Sequence, residues 1–222
     1  MSDNLLSDPS FFADPSRRHR PLLLLDADEV LLQFLKGIET FAETRDLVFV
    51  PETFAITGNL RDAKTKRALA QEEVGDFLKA FFSDYTRHLQ LVPGALAAVR
   101  QLQDVADVAV LSNVPDHAVP DRIACLKDQG LDLPVFGNEG GKGHFVANMI
   151  KDRGGLVCFV DDLPPQHDDV EKHAPESHRL HFVADERLRP MLPKAVSAHH
   201  RIDTWPEAAT YFIDLFDGKQ RV

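Results

Sequence analysis

Two aspartates spaced two residues apart, Asp26 and Asp28, follow directly on the apolar run Pro21-Leu22-Leu23-Leu24-Leu25. Just past the carboxyl end of a buried strand, both side chains can point to one pocket if the chain bends there. Left unpaired they would repel, and at least one would be driven neutral. A metal cation relieves that repulsion, and so does a division of labour between a nucleophile and an acid/base. The plain alternative is an acidic turn in which Asp28 starts a helix as its N-cap. Farther along, the run 105–111 ends in Ser112-Asn113, Gly140-Gly141-Lys142-Gly143 precedes a helical pattern, and the run 156–160 ends in Asp161-Asp162. The chain therefore sets a hydroxyl, a lysine and a second carboxylate pair after Asp26 and Asp28, each at a strand end or in a connecting loop. Singly, each has a bland reading: Ser112 as a strand end capping the next helix, Lys142 as a solvated cation, and Asp161-Asp162 as an acidic turn before Pro164-Pro165.

The elements that must position these groups are legible in the hydropathy pattern. The runs 22–25, 105–111, 156–160 and 180–183 are apolar without alternation, which suits strands buried on both faces of a parallel sheet. Between them, Leu96, Val99 and Leu102 follow Pro93-Gly94 at helical intervals, and Phe145, Met149 and Ile150 follow Gly143. Thr204-Trp205-Pro206-Glu207 reads as a capping box opening a last helix through Leu215. This alternation predicts an α/β fold, a Rossmann-like doubly wound parallel sheet with helices on both faces. Residues 32–91 break the rhythm with helical patterns (Phe34, Ile38, Phe41; Val74, Phe77, Leu78, Phe81) and one strand candidate at 47–50. Some sixty residues is too long for a simple crossover, so a mainly α-helical insertion over one end of the sheet is expected. The expected division is a tail over 1–20, a core over 21–32 and 89–222, and a helical insertion over 33–88.

Composition bounds the function. The 222 residues carry 25 Lys plus Arg against 35 Asp plus Glu, a formal charge of −10. That balance argues against binding nucleic acid or an anionic membrane, both of which need a basic surface. A locally positive pocket for a phosphorylated substrate, or carboxylates gathered around a divalent cation, remains open. Cys125 and Cys158 sit in apolar surroundings with no CxxC pair, which reads as two core thiols in a reducing cytoplasm. The start of the sequence lacks the basic and long apolar regions of a signal peptide, and no run is long enough to span a bilayer. A cytoplasmic location is the expectation; oligomeric state is not readable.

With Asp26-Ala27-Asp28, Ser112, Lys142 and Asp161-Asp162 in register on the expected elements, the chain resembles the haloacid dehalogenase superfamily of phosphohydrolases over about residues 22–216. Val92-Pro93-Gly94, leading into the helix before the second motif, is similar as well. The resemblance implies that Asp26 is a nucleophile forming an aspartyl-phosphate and that Asp28 is the general acid/base. Ser112 would hydrogen-bond the phosphoryl group, with the backbone beside Asn113 or Ala27 as a further donor, and Lys142 would supply positive charge. Asp162, with Asp161, would hold Mg²⁺ together with Asp26 and the main-chain carbonyl of Asp28. A carboxylate can approach an anionic phosphate only where positive charge offsets the repulsion, so the parts are mutually consistent. An acid at Asp28 together with the acidic pair favours phosphoryl transfer over the dehalogenase branch. Two features depart from the family: Gln166 and His167 stand where many relatives carry a further acidic residue, with Asp168 and Asp169 slightly later, and Glu29 stands where Gly is frequent.

The resemblance also makes the insertion a cap that closes over the site and sets specificity. Within it, Thr57-Gly58-Asn59-Leu60-Arg61 joins a turn signal to a fixed cation; Arg61 is a candidate contact to phosphate or to an acidic substrate group, and a solvated loop arginine is the alternative. Lys64, Lys66 and Arg67 read as a solvated helix face. His167, His173, His178 and His181 show no zinc spacing and read as surface histidines, as do His199-His200. Phe34, Phe41, Phe77, Phe81 and Phe82 are core candidates before they are substrate contacts. The expectation is a Mg²⁺-dependent phosphatase of a small phosphorylated metabolite; a phosphomutase using the same intermediate, or a catalytically silent ligand- or partner-binding relative, are the alternatives.

Overall fold

The central strands of the main sheet arise from short, mainly apolar runs, whereas its outer strands at 178–181 and 200–201 are His- and Arg-rich. In the computed structural model, which describes residues 15–151 and 153–219, these runs become β1 (Leu22–Leu25) and, after the insertion, their parallel partners. The insertion holds α1 (Phe34–Glu43), β2 (Leu47–Phe49), β3 (Leu60–Asp62) and α2 (Gln71–Asp84). Then follow α3 (Ala95–Val105), β4 (Asp107–Ser112), α4 (Val119–Asp128), β5 (Val135–Gly137), α5 (Gly143–Lys151) and β6 (Val157–Asp161). The chain continues through α6 (Pro164–His173), β7 (His178–His181), β8 (His200–Arg201) and α7 (Trp205–Phe216).

The six-stranded sheet runs β5-β4-β1-β6-β7-β8, all parallel. Strand β1 is central, and the chain winds outward from it on one side through β4 and β5, then returns to wind outward through β6 to β8. The reversal opens a crevice at the carboxyl end of β1, the place where such sheets bind ligands. Leu25 is level with Val110 and Val160, so Asp26, Ser112 and Asp161 emerge at one end of adjacent strands. Alternate residues of β1 serve opposite faces: Leu23 and Leu25 join one apolar cluster, Leu22 and Leu24 the other. The first cluster runs on into the insertion through Phe41, Phe77 and Phe81, with the rings of Phe41 and Phe81 edge-on at 5.5 Å.

Several expectations are met with differences. The insertion has its helices, and it also folds an antiparallel β2–β3 hairpin of three-residue strands around the long loop 50–59. Lys64, Lys66 and Arg67 lie in the turn after β3, not on a helix, because the Asp62 carboxylate accepts hydrogen bonds from the backbone of Lys64 and Thr65 and closes the chain there. Helix α7 begins where the sequence suggests, but the Thr204 hydroxyl donates to the Glu207 carboxylate at 2.7 Å instead of capping the backbone. The expected tail lies outside the described residues as far as 14. From 15 onward it is tied to the core: Arg17 and Arg20 both reach Asp107, which also meets Arg153 at 2.7 Å, at the end of the sheet opposite the crevice. Cys125 and Cys158 are buried free thiols, and burial pushes the Cys158 thiol up. No helix among the described residues is long and apolar enough to cross a membrane.

Candidate active site

Lys142 stands at the centre of the strand-end residues. The loop before α5 carries it inward, where its ammonium donates to Asp26 Oδ1 at 2.5 Å and to Asp161 Oδ2 at 2.7 Å. Burial alone would lower the pKa of this lysine, but the two carboxylates outweigh that and push it up. Two glycines permit the approach: a Cβ on Gly143 would sit 2.3 Å from the Asp169 carbonyl oxygen, and one on Gly141 would sit 2.3 Å from the Asp169 carboxylate. The Gly143 N–H instead donates to Asp169 Oδ2 at 2.7 Å. The Gln166 side chain accepts from the Lys142 N–H at 3.0 Å and donates to Gly140 O at 3.1 Å, closing the loop from α6.

Asp28 has a partner that its sequence neighbourhood does not announce. Arg122, fully buried on α4, grips it with two bonds of 2.6 and 3.0 Å. Burial pushes the Asp28 carboxyl up and the guanidinium opposes that. The local signal was present: Val119, Arg122, Cys125 and Leu126 form the buried stripe of α4, so an arginine occupies an apolar helical position.

Glu29 adopts a left-handed backbone conformation, φ 56°, where glycine is at ease and a side chain is strained by about 1 kcal/mol. Its buried carboxylate accepts from the N–H of Leu35 at 2.8 Å, in the first turn of α1, and from that of Asp185 at 3.1 Å. The residue joins the β1 loop, the insertion and the segment after β7. Burial pushes its carboxyl up to about 7.

The acidic pair divides. Asp161 is taken by Lys142 and by the Leu163 N–H at 2.9 Å. The Asp162 carboxylate forms no hydrogen bond or ion pair among the described residues; burial, with Asp161 and Asp26 beside it, pushes its carboxyl well up. Asp168 and Asp169 are engaged elsewhere, by the Ser197 hydroxyl and the Gly143 N–H, so the later acidic positions serve loops. The surface reading of the histidines fails for three of them: His167, His178 and His181 are buried. His167 Nε2 lies 3.0 Å from the Asp161 carbonyl and His181 Nε2 lies 2.9 Å from that of Asp162, while His181 Nδ1 accepts from the Ala195 N–H. Burial lowers the pKa of both rings, and since a carbonyl only accepts, each Nε2–H donates and fixes the backbone under the acidic pair.

Ser112 is buried, and its hydroxyl has no partner among the described residues. Such an orphan costs about 1–3 kcal/mol, and Ser112 is not among the residues lining the cavity. Asn113 borders the cavity, with its amide donating to Gly140 O and accepting from Asn138, each at 2.8 Å. Arg61 is drawn elsewhere: its guanidinium pairs with Glu52, and it is not among the residues lining the cavity.

A cavity of about 230 Å³ opens over Asp26, Asp28, Lys142 and Asp162. Asp26, Asp28, Asp161 and Asp162, with Glu29 also bordering the cavity, outnumber the two cations Lys142 and Arg122. Oxygen donors carrying that excess suit a hard divalent cation. No three His, Cys, Asp or Glu side chains among the described residues converge on one cation position, and Lys142 lies between Asp26 and Asp161. The donors still facing the cavity are Asp26 and Asp162, with Asp28 committed through its side chain to Arg122.

The fold recurs in solved structures. A haloacid dehalogenase family hydrolase of Deinococcus radiodurans, with bound phosphate and sodium, superposes with a TM-score of 0.61 at 12% identity over 90% of this chain and 97% of that one. The chain has the haloacid dehalogenase-like fold. The protein YfnB of Bacillus subtilis, bound to magnesium, matches at TM-score 0.57 and 15% identity over 87% of this chain and 98% of that one. A haloacid dehalogenase-like family hydrolase of Streptococcus pneumoniae matches at 0.53 and 15% over 88% and 99%. No family model matches the sequence, and no curated protein sequence matches it.

Beyond the predicted haloacid dehalogenase-like residues, the structure adds Arg122, Glu29, His167 and His181. Arg122 had a pattern signal; the two histidines had none, since the carbonyls they hold are known only once β7 and α6 are packed on β6.

Proposed function

We propose that the protein is a Mg²⁺-dependent phosphohydrolase of the haloacid dehalogenase-like superfamily, removing phosphate from a small phosphorylated metabolite through an aspartyl-phosphate on Asp26. The observation that carries this reading is the buried Lys142 ammonium bridging Asp26 and Asp161 at 2.5 and 2.7 Å. It lets a carboxylate face a phosphate dianion and opposes the burial that pushes the Asp26 carboxyl up. The unpartnered Ser112 hydroxyl donates to a phosphoryl oxygen. Asp28 passes a proton to the leaving oxygen and then takes one from the attacking water; the Arg122 fork uses two of its roughly four lone-pair sites and leaves room for that proton. Asp26, Asp162 and the Asp28 carbonyl would hold Mg²⁺, with Asp161 serving as the partner of Lys142. When bound, the cation supplies charge neutralisation for the phosphoryl oxygens. Residues 33–88 act as the cap over this site. Lys142 is the only cation lining the cavity among the described residues, which supports hydrolysis over a mutase that must seat a second phosphate.

Turnover of a phosphate-ester panel, with and without Mg²⁺, tests the reading. Asp26→Asn is expected to lose at least 10³-fold in kcat while remaining folded, by loss of the nucleophile. Full activity of that variant, with deamidation excluded by mass spectrometry, overturns the mechanism, and activity indifferent to a chelator overturns the metal.

A further inference from the structure

The mouth of the cavity differs in kind from its floor. Above the charged groups its walls are Phe34 and Leu35 at the start of α1, Phe54 and Ile56 from the 50–59 loop, and Leu163 and Leu188 from the core. The loop presents its two members by alternation: Phe54 and Ile56 turn inward, half-buried, while Thr53, Ala55 and Thr57 are exposed. One buried side chain holds it in that shape. Asn59 Oδ1 accepts from the N–H groups of Glu52 and Thr53 at 3.1 and 3.3 Å, and its amide donates to the carbonyls of Thr53 and Ala55, both at 2.6 Å.

The polar groups that border the cavity away from the aspartate–lysine centre are already committed. Both ends of Asn113 bond to the 138–140 loop, and both ends of Gln166 bond to the Lys142 N–H and Gly140 O. Both oxygens of Glu29 accept backbone N–H groups. Arg61, a cation next to this loop that could meet a second anionic group, is paired with Glu52. A sugar or a bisphosphate placed here would lose its hydration and find few free partners, at about 1–3 kcal/mol for each unpaired group.

We propose that the leaving group is small and apolar, an aromatic or branched aliphatic alcohol esterified to a single phosphate, seated between the 50–59 loop and Leu163. This deepens the phosphohydrolase reading and rests on it for the chemistry; the binding preference itself can be measured without turnover. Titration calorimetry in Mg²⁺ with two non-hydrolysable probes, phenylphosphonate and methylphosphonate, separates the two. The larger probe is expected to bind at least tenfold tighter, and Ile56→Asp to reduce that ratio below threefold with methylphosphonate unchanged. If Ile56→Asp does not fold, judged by circular dichroism, Phe54→Ser carries the same expectation. Equal affinities, a preference that survives both substitutions, or no binding of either probe overturns the proposal. Turnover of phenyl phosphate and glycerol phosphate then divides the outcomes. Equal kcat/KM for the two overturns the apolar assignment and leaves hydrolysis standing. A binding preference with no turnover of any ester keeps the ligand class and overturns hydrolysis.

Discussion

At the scale of single residues, Arg122 is the side chain with most to lose. It is fully buried, its guanidinium Nε has no partner among the described residues, and its other nitrogens hold Asp28. Removing one member of such a pair strands the other charge, which typically costs about 3–5 kcal/mol. Arg122→Met is expected to lower unfolding stability by that amount in urea titrations. It should also reduce kcat more than it changes KM, since Asp28 would lose its orientation. Adding Asp28→Asn to Arg122→Met should recover part of the stability and none of the activity; additive losses would show that the two residues are not coupled. Glu29 illustrates how a departure from a family pattern can carry structure: its carboxylate ties α1 and the segment after β7 to the β1 loop, work that glycine cannot do.

At the scale of elements, the reach of sequence reasoning follows from where the information lies. The strands β1, β4 and β6 are legible because a parallel strand covered on both faces needs nothing but apolar residues. Their functional groups are legible because each is the next residue or two after the run. The β2–β3 hairpin is only half legible: residues 47–50 look like a strand, whereas Leu60-Arg61-Asp62 carries two charged residues in three and pairs because Asn59 folds the intervening loop. Arg61 was a reasonable cation to aim at a phosphate from sequence, and it is the Glu52 carboxylate, nine residues earlier, that takes it. Asn59→Ala leaves several backbone groups of the loop without partners and is expected to cost about 1–3 kcal/mol. Hydrogen exchange should show faster opening confined to residues 51–58, with β1 and β6 unchanged. Uniform acceleration across the sheet would mean that the loop is not a local unit.

At the scale of the whole molecule, the acidic excess becomes a prediction about cations. With carboxylates outnumbering cations at the strand ends, Mg²⁺ should stabilise the fold, by about 2.7 kcal/mol at a hundredfold excess over its Kd. For a chain of this size that corresponds to a rise in Tm of roughly 5–10 °C. Asp162→Asn should abolish most of the shift; an undiminished shift would place the cation elsewhere. The buried histidines set the acid limit. His178, 2.7 Å from the Tyr211 hydroxyl and stacked on His199, is lowered by burial from 6.5 to about 4. A histidine depressed in the folded state binds fewer protons there than in the unfolded chain, so stability rises with pH through this window and is lost as pH falls from 6.5 towards 4. The loss reaches about 3 kcal/mol for this residue. His178→Gln, which keeps a partner for Tyr211, should flatten the pH dependence of the urea midpoint between pH 7 and 5.

The central position of β1 also bears on how the chain is made. Its two neighbours are β4 and β6, and Leu25 pairs with Val110 on one side and Val160 on the other. Ribosomes add about 5–20 residues per second, so the strand synthesised first waits roughly 7–27 s for its second neighbour to be translated. During that interval four consecutive leucines have an open edge. A translation product halted near residue 140 should therefore engage chaperones or precipitate, whereas the released 222-residue chain should not.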